Sequence, residues 1–283
     1  MRKAVILGGI GRSGTSIVRD MVYTNENTVS FGNIEAKFFG ESYGLIDLYH
    51  AVVTDYRIDK AVVAVDQFET VMLKHMTDEN FYGQPSILTA FGSRAPLYEG
   101  VIRQFTGALR AGKFVPALSE QAFWGHVSGF VEELLGLVRD HSDAVFVEKT
   151  PHNVFNPWIF DKIFSDVKYV WVIREPVSIA KSLLKMDWGQ QEAQTACQWV
   201  TIAYERFFET FNGVPALVIK YENLIADPDL AINSLEESVG FELPGAGGLI
   251  EPQYRGAPSR DPDPVFTPLL ADTIRKYDAF DQK

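Results

Sequence analysis

The feature that most constrains this chain is residues 3 to 24, KAVILGGIGRSGTSIVRDMVYT. Lys3 to Leu7 is a short, β-branched, apolar run of the kind a buried strand carries, and Ile17, Val18, Met21 and Val22 then recur at helical spacing. Between them, Gly9, Gly11 and Gly14 carry no Cβ. Backbone N–H groups in such a turn can approach an anion closely, and the following helix directs its positive end to the same point. A strand, a P-loop-like phosphate-binding turn and a helix in this order point to an α/β fold with a phosphate or sulfate group as guest.

The spacing from Gly9 to Ser16 fits the nucleotide-binding pattern G-x-x-x-x-G-K-[ST] except that Thr15 stands where the lysine would reach the outer phosphates. The nearest cation is Arg12. The run Arg12-Ser13-Gly14-Thr15-Ser16 resembles the R-S-G-T-[ST] loop of sulfotransferases that use 3′-phosphoadenosine 5′-phosphosulfate (PAPS), in particular the bacterial and Golgi branch. Three later segments carry the same resemblance in the same order. Glu148-Lys149-Thr150-Pro151-His152-Asn153 is similar to the family's E-K-T-P segment, Arg174 to Ser182 to its 3′-phosphate segment, and Tyr221 to Pro228 to its Y-E-[DN]-L region.

The resemblance implies roles as well as a fold. The loop Gly11, Arg12, Ser13, Gly14, Thr15 and Ser16 would cradle the cofactor's 5′ side. Arg174 and Ser182, eight residues apart, would hold the 3′-phosphate, with Tyr221 as a further contact and Arg255 in a late loop as another. Arginine suits this task because its rigid fork donates to two phosphate oxygens at once. Arg12 and Lys149 would steady the sulfonate and the departing phosphate. Glu35 is placed where one branch of the family has its general base, although Asn33 and Ile34 interrupt the tighter Gly-Glu-Glu found there. A first-turn acid of a helix is the other reading of Glu35. His152 is the runner-up base, one residue further from the lysine than in the K-T-H of cytosolic relatives.

The expected architecture is a three-layer α/β/α domain over 1–283, with a central mainly parallel sheet. Strands are read at 3–7, 29–32, 144–147, 168–173 and 215–219. Helices are read at 42–54, 67–77, 126–139, 190–212, 230–239, where Gly240 gives the stop, and 268–279. Residues 245–268, rich in glycine and proline, read as an irregular loop. Residues 38–125 carry no phosphate motif but many aromatics, among them Phe38, Phe39, Tyr43, Tyr49, Tyr56, Phe68, Phe81, Tyr82, Phe91 and Tyr98, and are read as a helical insertion that binds the acceptor.

Composition narrows the partners. A net charge of -11 over 283 residues gives no support to nucleic-acid binding. Cys197 is the only cysteine, so no intrachain disulfide framework or cysteine-based zinc cluster is open to the chain. The strand follows Met1 almost at once, leaving no room for a signal peptide, and no apolar run approaches membrane-spanning length. The expectation is a soluble cytoplasmic enzyme, without a metal, that moves a sulfonate from PAPS to a hydroxyl of a small-molecule acceptor: a lipid, polyketide, phenol or sugar. Amine acceptors stay open, as do a P-loop small-molecule kinase and a catalytically silent nucleotide-binding protein.

Overall fold

The computed structural model describes residues 2–79, 83–111, 118–139, 143–250 and 262–280. The fold is α/β. Five strands, β1 (Lys3–Gly9), β2 (Thr28–Val29), β3 (Val145–Lys149), β4 (Asp166–Ile173) and β5 (Ala216–Lys220), form one sheet in the order β2-β3-β1-β4-β5. β2 runs parallel to β3 with Thr28 beside Val145 and Val29 beside Phe146; β4 runs parallel to β5 from Tyr169 beside Ala216 to Ile173 beside Lys220. Strands buried on both faces read as continuous apolar runs, and β1, buried from Ala4 through Gly9, is such a strand.

The chain divides into two compact units. One comprises Met1–Ala4, Asn27–Thr150 and Pro157–Val167. It holds β2, β3 and the helices Leu45–Tyr49, Ile58–Thr70, Tyr98–Ala111, Glu120–Val138 and Trp158–Ile163. Its core is aromatic. Phe105 stacks on Phe130 at 4.3 Å between ring centroids, Phe38 on Phe39 at 4.5 Å and Phe91 on Tyr98 at 5.3 Å. Phe38, Phe39, Phe68, Phe91 and Tyr98 are all buried and serve as core; Tyr43 is exposed, and Phe81 and Tyr82 lie outside the described residues. Burial pushes the Tyr98 hydroxyl far above the ordinary tyrosine range, and the hydroxyl donates to the Met72 carbonyl at 2.9 Å.

The other unit comprises Val5–Glu26, Pro151–Asn156 and Lys168–Lys283. It holds most of β1, with β4 and β5, and the helices Thr15–Val22, Pro176–Leu183, Ala193–Phe211, Tyr221–Ala226, Pro228–Val239, Phe266–Leu269 and Ala271–Asp278. Because β1 and β4 are neighbours, the loop after Gly9 and the segment after Ile173 leave adjacent strands.

Several boundaries differ from the sequence reading for local reasons. β2 stops at Val29 because Ser30 Oγ accepts from Gly32 N at 3.1 Å and Gly32 turns at φ 69°, closing the chain into a turn. The helix read from 126 starts at Glu120, where Ser119 accepts from Ala122 N. The pattern at 67–77 belongs to a longer helix from Ile58 that widens after Val71, with Met76 N bonded to the carbonyl five residues back. The late loop contains one 3₁₀ turn, Ala246–Leu249, and residues 251–261 lie outside the described set. Among the described residues no helix is long and apolar enough to cross a membrane.

Candidate functional site

The loop leaving β1 folds tightly against β4. Gly9 has φ 148°, and a Cβ there would stand 2.0 Å from the Val172 carbonyl oxygen, so only glycine lets the two strands approach. Ser13, fully buried, donates its hydroxyl to the same carbonyl at 2.7 Å, while its N–H donates to the Ile10 carbonyl at 3.1 Å. Ser13 therefore shapes the turn with its side chain. Arg12, at φ 71°, projects outward and exposed from the turn. Gly14 at φ 97° leads into the helix Thr15–Val22, which has no side-chain cap and no acid in its first turn. The positive end of that helix is thus left for an anion. Ser16 is exposed there and Thr15 is buried.

The second motif meets the loop within the same unit. Arg12 Nε donates to Ser182 Oγ at 3.1 Å, and an Arg174 terminal nitrogen donates to the Arg12 carbonyl at 3.4 Å. The Arg174 guanidinium lies over the Tyr221 ring, 4.6 Å from its centroid, and that ring in turn packs on Gly14, where a Cβ would be 2.5 Å from Tyr221 Cδ2. Arg12, Gly14, Arg174, Ser182 and Tyr221 are therefore brought together. Arg174 Nε is buried and has no hydrogen-bond partner. A buried charged donor without a partner is costly unless a ligand supplies the acceptor.

Residues that sequence reading left aside hold this cluster in place. Tyr204, buried on the helix Ala193–Phe211, donates its hydroxyl to the Arg174 carbonyl; burial pushes that hydroxyl well above its ordinary range, reinforced by the nearby carboxylates Glu222 and Glu175. Glu175 caps the helix Pro176–Leu183 by accepting from Val177 N at 3.0 Å and Ser178 N at 2.6 Å. Glu222, also buried, accepts from Glu175 N at 2.9 Å and from the Tyr277 hydroxyl. Glu222 was findable, since it sits beside Tyr221 in a motif already singled out. Tyr204 was not, because one aromatic on a helical face gives no sign of its hydrogen bond.

The other unit carries Glu35 and Lys149. Lys149, at the end of β3, donates to Glu35 Oε1 at 2.6 Å, and Lys37 Nζ stands 4.0 Å from Glu35 Oε2. Glu35 is on an irregular turn, not at a helix start. Its main chain is gripped by Gln84, which accepts from Glu35 N at 3.0 Å and donates to Glu35 O at 3.2 Å. Glu148 is 2% exposed; its Oε1 accepts from Ala36 N at 3.0 Å and from Thr150 Oγ1 at 2.7 Å.

His152 is exposed on the short turn Pro151–Phe155, its ring 5.7 Å from that of Phe155. Arg255 lies outside the described residues. A cavity of about 500 Å³ opens between the helices Ile58–Thr70 and Tyr98–Ala111, lined in part by Leu73, Lys74, Leu88, Tyr98 and Arg103; its lining falls within 38–125, and none of the cofactor or catalytic candidates lines it. Among the described residues no group of three or more His, Cys, Asp or Glu is arranged to hold a metal ion.

A glycine turn ending at an uncapped helix lies beside two arginines, one with an unpaired buried Nε, an arrangement suited to an anionic group. The profile described as Sulfotransferase family matches residues 4–245. No curated protein matches the chain. Among solved structures, the chain is similar to the sulfotransferase domain from the Synechococcus PCC 7002 olefin synthase at 13% identity and a TM-score of 0.54, over 99% of this chain and 88% of that one. It is also similar to the sulfotransferase domain from the curacin biosynthetic pathway at 15% identity and a TM-score of 0.51, over 90% of this chain and 77% of that one.

Proposed function

The chain belongs to the Sulfotransferase family, and on that premise we propose that it transfers a sulfonate group from PAPS to a hydroxyl of a small-molecule acceptor. The observation that carries the cofactor assignment is the arginine cluster. Where a kinase loop has its lysine, this loop has Thr15, and the cationic function passes to Arg12 and Arg174, the latter with an unpaired buried Nε. When bound, PAPS supplies a sulfonate whose bond to the 5′-phosphate breaks as the acceptor oxygen bonds to sulfur.

The chain's own residues divide the work. The loop amides, with Gly11, Ser13, Gly14, Thr15 and Ser16, receive the 5′-phosphate, and Arg12 offsets the charge that grows on it. Arg174 and Ser182 take the 3′-phosphate, and Tyr221 keeps the Arg174 fork oriented by stacking. Lys149 steadies the sulfonate and the bridging oxygen. Glu35 takes the acceptor's hydroxyl proton, and its pairing with Lys149 at 2.6 Å supports it over His152 as base.

A kinase reading would lean on Glu148 as the acidic strand end for Mg²⁺. Its Oε1 instead serves Ala36 N and Thr150 inside the protein, which weighs against that reading. The acceptor's hydroxyl identity, whether lipid, polyketide, phenol or sugar, is left to assay, since the aromatics of residues 38–125 are largely core.

Calorimetry tests the proposal directly. Adenosine 3′,5′-bisphosphate should bind far more tightly than ATP, and adenosine 5′-monophosphate should lose several kcal/mol, since charged hydrogen bonds contribute about 1.5 to 3 kcal/mol each. ATP with Mg²⁺ binding as well as the bisphosphate would overturn the assignment. With PAPS and an acceptor that turns over, Glu35→Gln should slow single-turnover transfer by about a hundredfold to ten-thousandfold at nearly unchanged bisphosphate affinity, and His152→Ala should lose much less.

A further inference from the structure

We infer that Gln84 is a positioning residue for Glu35, holding the glutamate's main chain so that its carboxylate stays paired with Lys149. The inference rests on the reading of Glu35 as base for its functional meaning; the clamp itself is geometric.

Glu35 lies in an irregular stretch between Val29 and Leu45 that contains neither strand nor helix. No ladder of backbone bonds fixes it, so other groups must. Gln84, 49 residues further along, engages both main-chain polar groups of this one residue: Oε1 accepts from Glu35 N at 3.0 Å and Nε2 donates to Glu35 O at 3.2 Å. A primary amide is the side-chain group that offers an acceptor and a donor side by side, so it reproduces what a neighbouring strand would provide. The following residue is fixed from another direction, Ala36 N donating to the buried Glu148 at 3.0 Å. Lys149, the next residue after Glu148, takes the Glu35 carboxylate at 2.6 Å.

The glutamate is thus held by its N–H, its carbonyl, its neighbour's N–H and its carboxylate. The first of these is made by Gln84, and the second is shared between Gln84 and Lys37 N, which donates to the Glu35 carbonyl at 2.8 Å. Reacting groups need placement within a fraction of an ångström, and a misplacement of about 1 Å can cost a hundredfold in rate. Gln84 falls in Gly83-Gln84-Pro85, which by sequence is only a turn.

The test reads the Glu35–Lys149 pair without needing an acceptor. Lys149 is labelled with trinitrobenzenesulfonate in the full chain, and its modification rate is followed by peptide mass spectrometry. Gln84→Ala and Gln84→Glu, the latter keeping the acceptor but losing the donor, are made in the wild-type chain and in Glu35→Ala. Loss of a hydrogen bond worth about 1 kcal/mol corresponds to about a fivefold rise in labelling in the wild-type background. In Glu35→Ala, where the pair is already gone, neither Gln84 substitution should raise labelling further. An unchanged rate for both variants, or an equal rise in both backgrounds, would overturn the positioning role, the second result signifying general loosening. Bisphosphate binding by the wild-type chain, measured alongside, separates this outcome from failure of the sulfotransferase reading: a chain that labels as expected but binds no bisphosphate keeps the clamp and loses the reaction.

Discussion

Gly14→Ala puts the packing of the phosphate loop to a quantitative trial. The residue has φ 97°, and a Cβ there would stand 2.5 Å from Tyr221 Cδ2 and 2.9 Å from Cε2. Two costs follow. Alanine in a left-handed backbone costs about 1 to 2 kcal/mol, and forcing a packed ring aside costs about 1 to 3 kcal/mol, together about 2 to 5 kcal/mol. The ring cannot yield without leaving the Arg174 guanidinium, now 4.6 Å from its centroid, so the substitution should also weaken bisphosphate binding. Urea denaturation should show a midpoint lowered by on the order of 1 M, taking a slope of about 3 kcal/mol/M. Gly107→Ala is the control of opposite sign: it lies within the helix Tyr98–Ala111, where an added Cβ would meet nothing within 4 Å, and should gain about 1 kcal/mol from helix propensity. A Gly14→Ala chain that melts with the wild type and binds the bisphosphate normally would refute the account of Tyr221 as the wall of the loop.

Arg174→Lys keeps the charge but loses Nε and the planar stack on Tyr221, so bisphosphate affinity measured by calorimetry should fall nearly as far as in Arg174→Ala; a lysine variant that binds like wild type would mean charge alone suffices. Ser13→Ala should cost about 1 kcal/mol of stability in the same urea assay, from its buried bond to the Val172 carbonyl, with bisphosphate affinity moved much less than by either Arg174 change. Tyr98 and Tyr204 both have hydroxyls raised above the unfolded value of about 10, so the folded chain keeps protons that the unfolded chain loses above that pH. Their contribution is complete below about pH 10 and falls with rising pH above it, by about 1.4 kcal/mol per pH unit for each. Stability measured from pH 9 to 11 should decline less steeply in Tyr204→Phe than in wild type, and an unchanged slope would contradict the burial argument.

How far the sequence alone reaches depends on how local the physics is. β1, its glycine turn and the helix after it were legible because a strand buried on both faces is apolar throughout and a tight turn at positive φ needs glycine nearby. The same holds for β4 and for the Pro176 helix start, whose capping partner Glu175 is its immediate neighbour. The resemblance singled out Arg12, Arg174, Ser182 and Tyr221, and the fold brings them together because β1 and β4 are adjacent strands with a shared end. Pairing across 170 residues leaves no periodicity in the chain; only the strand order sets it.

Other features were decided by tertiary structure alone. The burial of Phe38, Phe39, Phe68 and Phe91 was decided by packing, since phenylalanine spacing is the same in a core and beside a ligand. That the Ser13 hydroxyl donates to the Val172 carbonyl is not written in its motif, because a donor's partner is fixed by which carbonyl the fold leaves within reach. Glu35 offers a similar lesson. Its residue type marks it as a candidate acid or base, but its meeting with Lys149 and its grip by Gln84 join segments 114 and 49 residues away, and those contacts exist only once β3 and the turn at Gly83 have been placed.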